Sequence, residues 1–206
     1  MYFTRYAFEL YVKDRSKKLR VHANRIGRMC IAWSNLELDL GLLLSTMMDI
    51  KDPPIKNTIL GLMEMRETIQ AILAIGFAHK PYDSWYTELA ALMNEIDNEI
   101  RPERNRTIHD FWFELPNPNE PAKSEIRRAK VKPKVKNTQA FQKELALIDM
   151  KPIVPDDISA ITKRIEKASV AVWLLKQDFS HATWPERHPK PNLTLGHVDD
   201  QKTSKQ

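Results

Sequence analysis

The sequence predicts an all-α protein, an up-and-down four-helix bundle with a small β-ribbon inserted before the last helix. Three observations lead there. Apolar residues recur at steps of three and four over four long stretches, proline-bearing breaks separate the stretches, and one proline- and lysine-rich excursion precedes the last of them. The chain has 206 residues, enough for one domain with a sizeable core. We read residues 1–182 as the bundle, 113–140 as a basic loop or β-ribbon within it, and 183–206 as a disordered C-terminal tail with little apolar surface to bury.

From Ser16 to Ile50 the residues Ile26, Met29, Cys30, Trp33, Leu36, Leu40, Leu43, Leu44 and Met47 fall on one helical face, with charges on the others. Asp52-Pro53-Pro54 ends that helix and caps a second, whose stripe of Ile55, Ile59, Leu62, Met63, Ile69, Ile72 and Leu73 runs on to Phe77. The break "HKPYDS" offers Asp83 or Ser84 as the N-cap of a third helix, striped by Leu89, Leu92, Met93, Ile96 and Ile100. The fourth starts at Pro155 with two aspartates and places Ile158, Ile161, Ile165, Ala168, Val172, Leu175 and Phe179 on one side. Between the third and fourth, Arg128, Lys130, Lys132, Lys134 and Lys136 alternate with Ala129, Val131, Pro133 and Val135, the period of two of a strand with one charged face. Pairing with "FWFEL" makes a ribbon, and Pro133 confines it to an edge.

Composition narrows the function classes. One cysteine, Cys30, excludes an intramolecular disulfide framework and a cysteine-rich zinc site. The 5 glycines form neither a P-loop nor a dinucleotide fingerprint. The histidines have no metal-ligand spacing on a common helix face, so neither metal nor cofactor is expected. Charges in "MYFTRYAFELYVKDR" interrupt the apolar stretch that a signal peptide needs, and no apolar run approaches the roughly 20 residues that cross a bilayer. We expect a cytoplasmic protein with no membrane partner. A net charge of +5 is compatible with a polyanionic partner without requiring one.

The stretch "RPERNRTIHDFW", residues 101–112, breaks the pattern. Stepping by four from Ile96 and Ile100 brings Arg104 and then Ile108 to the core phase, where an unpaired guanidinium is costly. Glu37, at the margin of the first helix's stripe, is the expected partner. Arg104 and His109 lie about 140° apart on an ideal helix, whereas Arg101, Asn105 and His109 share a face. Pro102 makes a kink plausible. A working cluster needs that distortion, or the same residues from a second chain across a two-fold axis.

"RNRTIH" resembles the R-x4–6-H signature of the HEPN domains, in the form where asparagine follows the arginine, near the end of the third helix of a four-helix pattern. "IAWSNLELDLGLLL" is similar to the first-helix segment of bacterial HEPN-like proteins. Arg15 and His22 satisfy the same spacing, so spacing alone carries no weight. The resemblance implies a homodimeric, metal-independent endoribonuclease of a toxin–antitoxin or antiviral module, with RNA as substrate and a cognate antitoxin protein as a further partner. It implies that Arg104 stabilises phosphate charge, His109 moves a proton and Asn105 orients the site, and helix phase adds Glu37 and Arg101 in support. The basic residues Arg128, Lys130, Lys132, Lys134 and Lys136 would grip the RNA backbone. Phe111 stands where the R-x4-H-x-Y toxin branch has tyrosine, so control by modification of that hydroxyl is not expected. The alternative is a non-catalytic dimeric helical module that binds RNA, a nucleotide or a protein.

Overall fold

The structure, a computed structural model, describes the backbone of residues 5–117, 119–135 and 143–184, and the side chains of 19–115, 119, 124–130 and 150–184. Among these, the helices are α1 (Arg5–Met47), α2 (Pro53–Leu62), α3 (Met65–His79), α4 (Asp83–Glu95), a π turn (Ile96–Ile100), α5 (Arg101–His109) and α6 (Pro155–Thr183). The strands β1 (Phe111–Asn117), β2 (Glu120–Val135) and β3 (Lys143–Pro152) lie between α5 and α6. The fold is thus all-α with a small antiparallel sheet inserted before the last helix.

The expected second helix is two. Glu64 stops the run: its backbone N–H donates to the Glu67 carboxylate at 2.9 Å, which starts α3 afresh. The apolar stripe crosses this break in sequence but not in space. Ile69 and Ile72 on α3 are buried, whereas Leu62 on α2 is 78% exposed. Upstream, the side chain of Asp52 accepts from the Ile55 N–H and caps α2, as its place before two prolines suggests.

Cross-contacts fix the helix directions. His22 on α1 meets the Ile153 carbonyl just before α6, and Ser169 on α6 donates to Asp39 further along α1, so α1 and α6 run parallel. Trp85 Nε1 donates to the Leu175 carbonyl at 3.0 Å, while Arg164 reaches back to Glu95, Glu99 and Glu103. The continuous rod from α4 through α5 is therefore antiparallel to α6. With α2 folded back along α1, where Leu60 packs over Gly41, the up-and-down order gains one leg.

The core lies between α1, α3, the α4–α5 rod and α6. Its centre is filled by Met29, Leu36, Leu40, Trp85, Met93, Ile165 and Phe179, all almost fully buried. Among the described residues no helix is long and apolar enough to cross a membrane.

The sheet order is β1-β2-β3. "FWFEL" pairs with β2, Phe111 opposite Ala129 and Leu115 opposite Glu125. The third strand, β3, is additional to the expected ribbon and extends the insertion to Pro152. Beyond Ala129, β2 pairs with β3 and, among the described residues, with no second strand, so Pro133 lies at an edge.

Candidate functional site

The π turn sets up the site. The N–H of Arg101 donates to the Ile96 carbonyl, five residues back instead of four. Pro102 has no N–H for the Asn98 carbonyl and its ring would crowd that oxygen, and one extra residue in the turn relieves both problems. The insertion also rotates everything downstream by about 100° relative to an uninterrupted α-helix. Its consequence is visible in burial: Thr107 is fully buried, whereas Ile108 is only half-buried.

Arg104 emerges half-buried against α1. Its guanidinium carbon lies 5.2 Å from the centroid of the Trp33 ring, Nη1 donates to Asn105 Oδ1 at 2.9 Å, and Nε is buried without a hydrogen-bond partner. The pairing with Glu37 expected from helix phase does not form. Glu37 is exposed and accepts from Trp33 Nε1 at 2.8 Å, because a carboxylate one turn along the same helix reaches the indole more easily than it reaches α5. Trp33 is the residue that sequence reasoning missed, having been assigned wholly to the core stripe. The three groups form a shelf in which Glu37 holds the indole edge and the indole face carries the arginine.

Arg101 is engaged differently. Its Nη2 lies 2.8 Å from Asp97 Oδ1, and Arg66 of α3 approaches the other oxygen of that carboxylate at 4.0 Å. Asp97 is 8% exposed within the π turn, and the contact with Arg101 is an ion pair without good hydrogen-bond alignment. Arg101 therefore braces the turn from its own helix, and Arg66 is the residue that reaches it from α3.

His109, the last residue of α5, is exposed and makes no hydrogen bond or ion pair with a described residue. Because α5 is regular from Arg101 to His109, the kink upstream does not bring Arg104 and His109 together. Within one chain they diverge. Asn105 lies between them, bonded to Arg104 and one helical turn before His109.

The basic row behaves only partly as its alternation suggests. Arg128 is 9% exposed, and its Nη1 donates to the Thr107 hydroxyl at 2.8 Å. Burial, and then Arg106 beside it, push its pKa below the ordinary arginine value, against opposing pulls from Asp110, Glu103 and Asp157. It joins the sheet to α5 and does not belong to a solvent-facing row. It follows Ile126 by two onto the buried face of β2, and just beyond it the register with β3 is irregular: Arg128 faces Lys151 and Lys130 faces Ile148, so β3 carries an extra residue opposite Ala129, which is itself fully buried. Lys130 is exposed. Lys132 and Lys134 take positions opposite Ala146 and Glu144, and Lys136 lies outside the described residues, as does the expected tail from 185 onward.

Among the described residues no group of three or more His, Cys, Asp or Glu side chains is placed to hold a metal ion. Compared with protein families, curated proteins and solved structures, the chain matches none.

Proposed function

We propose that this protein is a metal-independent endoribonuclease of the HEPN type, acting as a homodimer in the cytoplasm, with its site completed by the same residues of a second copy. The observation that carries the proposal is the state of Arg104. It is a guanidinium half out of water, with no carboxylate of a described residue in contact and a buried Nε unpaired, on the same short helix as an exposed His109 that no described residue engages. Such a group costs stability where it stands and is suited to receive an anion.

In the proposed reaction the 2′-oxygen of a ribose attacks the adjacent phosphorus and the bond from phosphorus to the 5′-oxygen breaks. The 2′-hydroxyl proton leaves and a proton is delivered to the departing 5′-oxygen. His109 serves these transfers, since imidazole changes charge near neutral pH. Arg104 offers paired donors to the phosphate oxygens as negative charge builds, and Asn105 fixes the guanidinium plane through its side-chain oxygen. The divergence of Arg104 and His109 on one helix is why a two-fold cleft, with each chain supplying both, is part of the reading. A toxin neutralised by a cognate antitoxin is the biological setting we favour. Phe111, exposed and lacking a hydroxyl, makes control by tyrosine modification unsuitable.

A second reading is a non-catalytic dimeric module that binds RNA, a nucleotide or a protein. The stacking of Arg104 on Trp33 favours it, because a purely structural arginine packs the same way. The test incubates the protein and its His109→Ala variant with total RNA in excess EDTA and analyses the fragment ends. Cleavage by the wild type alone, leaving 2′,3′-cyclic phosphates, supports the ribonuclease. Silence from both, with dimerisation established, supports the binding module.

A further inference from the structure

One groove among the described residues lies away from Arg104. It lies between the parallel helices α1 and α6, has a volume of about 500 Å³, and is lined on α1 by Arg25, Arg28, Ile31 and Asn35 and on α6 by Lys163 and Glu166. The three cations form no hydrogen bond or ion pair with any described residue, and Arg28 and Lys163 are exposed. Elsewhere Arg101, Arg127 and Arg164 each meet a carboxylate. Three cations against one carboxylate leave the groove positive. Ala32, 6% exposed, gives it an apolar floor, and Ile31, 66% exposed, an apolar rim.

The stripe on α6 continues beyond the groove. From Lys163 and Glu166, steps of four and three lead to Val170, 59% exposed, and Trp173, 49% exposed. Lys163 and Trp173 are ten residues apart, about 15 Å along the helix. A cationic end and a half-exposed indole on one broad face, about 80° apart around the helix, are the two elements of single-strand recognition, a backbone track and a stacking platform. A shallow groove whose lining is so exposed cannot enclose a small ligand as mononucleotide pockets do. It suits a strand that enters at one end and leaves at the other.

We infer that the α1–α6 groove binds single-stranded RNA, with phosphates on Arg25, Arg28 and Lys163 and a base on Trp173. The inference rests on the proposed function for its choice of RNA as the polyanion. The groove is not part of the reacting site. Arg28 and Glu37 are nine residues apart, about 180° on an ideal helix, so the groove and the Arg104 shelf occupy opposite flanks of α1. It is an anchor for a strand cut elsewhere.

The experiment measures binding of a fluorescent 2′-O-methyl oligonucleotide, which cannot be cleaved, by anisotropy across a range of salt concentrations. Removing three phosphate contacts in Arg25→Ala, Arg28→Ala, Lys163→Ala lowers the salt slope by about 2, equivalent to about 100-fold weaker binding at 0.1 M salt. Trp173→Ala weakens binding about tenfold with the slope unchanged, since stacking releases no counterions. Thermal midpoints of both variants stay within a degree or two of the wild type, because the altered side chains are at the surface. Wild-type binding that neither variant alters overturns the inference and leaves the ribonuclease reading standing. Groove-dependent binding by a protein that never cleaves RNA sustains the inference and removes the ribonuclease. No binding by the wild type overturns the groove assignment outright.

Discussion

Replacing Arg104 by methionine separates a working arginine from a structural one. Methionine keeps most of the apolar stem that lies against Trp33 and deletes the charged head. The losses are a cation–π contact of about 1 kcal/mol and a hydrogen bond to Asn105 of about 1 kcal/mol. Against them stands the buried Nε, whose unmet desolvation costs about 1–3 kcal/mol and disappears with the substitution. The terms nearly cancel, and the variant is expected within about 1 kcal/mol of the wild type in either direction. Urea unfolding followed by circular dichroism at several protein concentrations reads this directly. With a slope of about 2 kcal/mol per molar, the midpoint moves by no more than about 0.5 M. A downward shift greater than about 1 M would mean that Arg104 holds the fold together, and the functional reading of its unpaired state would lose its basis.

Three further outcomes follow from the same geometry. Thr107→Val removes the acceptor of a buried arginine while keeping side-chain shape, so it destabilises the fold by about 2 kcal/mol in the same urea assay; an unchanged midpoint would show that Arg128 finds another partner. Gly76→Ala gains about 1 kcal/mol of helix propensity but sets a Cβ 2.7 Å from Leu89 Cδ2 and 3.3 Å from Met47 Cε, so net destabilisation of about 1 kcal/mol is expected and a higher thermal midpoint would contradict it. The Lys80 ammonium, by its hydrogen bond and then its charge, holds the Asp83 carboxyl below its ordinary 3.8, so the stabilisation from this exposed pair is present at neutral pH and is lost as pH falls through the depressed value; carboxyl titration by NMR should give a midpoint that Lys80→Met returns upward.

Much of the fold was legible because burial follows period. All seven residues assigned to the inner stripe of the last helix, from Ile158 to Phe179, are buried, and so are Met29, Trp33, Leu36 and Leu40 on the first. Period carries no information about direction, however. The stripe of α2 and α3 reads as one helix because the break at Met63 and Glu64 happens to keep it in phase, and only the reciprocal Glu64 and Glu67 pattern marks a new start. The strand β3 was missed because its pairing with β2 is non-local and its own sequence, "KELALIDMKP", carries no turn or alternation strong enough to declare it. Arg128 was misplaced for a related reason: it shares the buried face of Ile126, two residues back, and only the packing of α5 against that face, which its own strand does not record, separates it from the lysines beyond.

At the site, the composition of Arg104, Asn105 and His109 was legible and its arrangement was not. Pro102 announced a distortion, but a π turn placed ahead of it shifts phase by one residue, and no local signal gives the size of that shift. Glu37 was reachable only by guessing a partner across two helices, and the nearer indole of Trp33 took its carboxylate. Asp97 and Arg101, four apart on one helix, form the ion pair that sequence could have supplied.

The most direct test of a site shared between two copies is subunit mixing. Arg104→Ala and His109→Ala chains are purified separately, mixed in equal amounts under conditions that allow exchange, and assayed on RNA in excess EDTA beside each variant alone and the wild type. The account expects each variant alone to be silent and the mixture to recover cleavage with 2′,3′-cyclic ends, because one chain brings the arginine and the other the histidine. A silent mixture beside an active wild type would contradict a site in which the arginine of one chain works with the histidine of the other, and a silent wild type would leave no ribonuclease to explain.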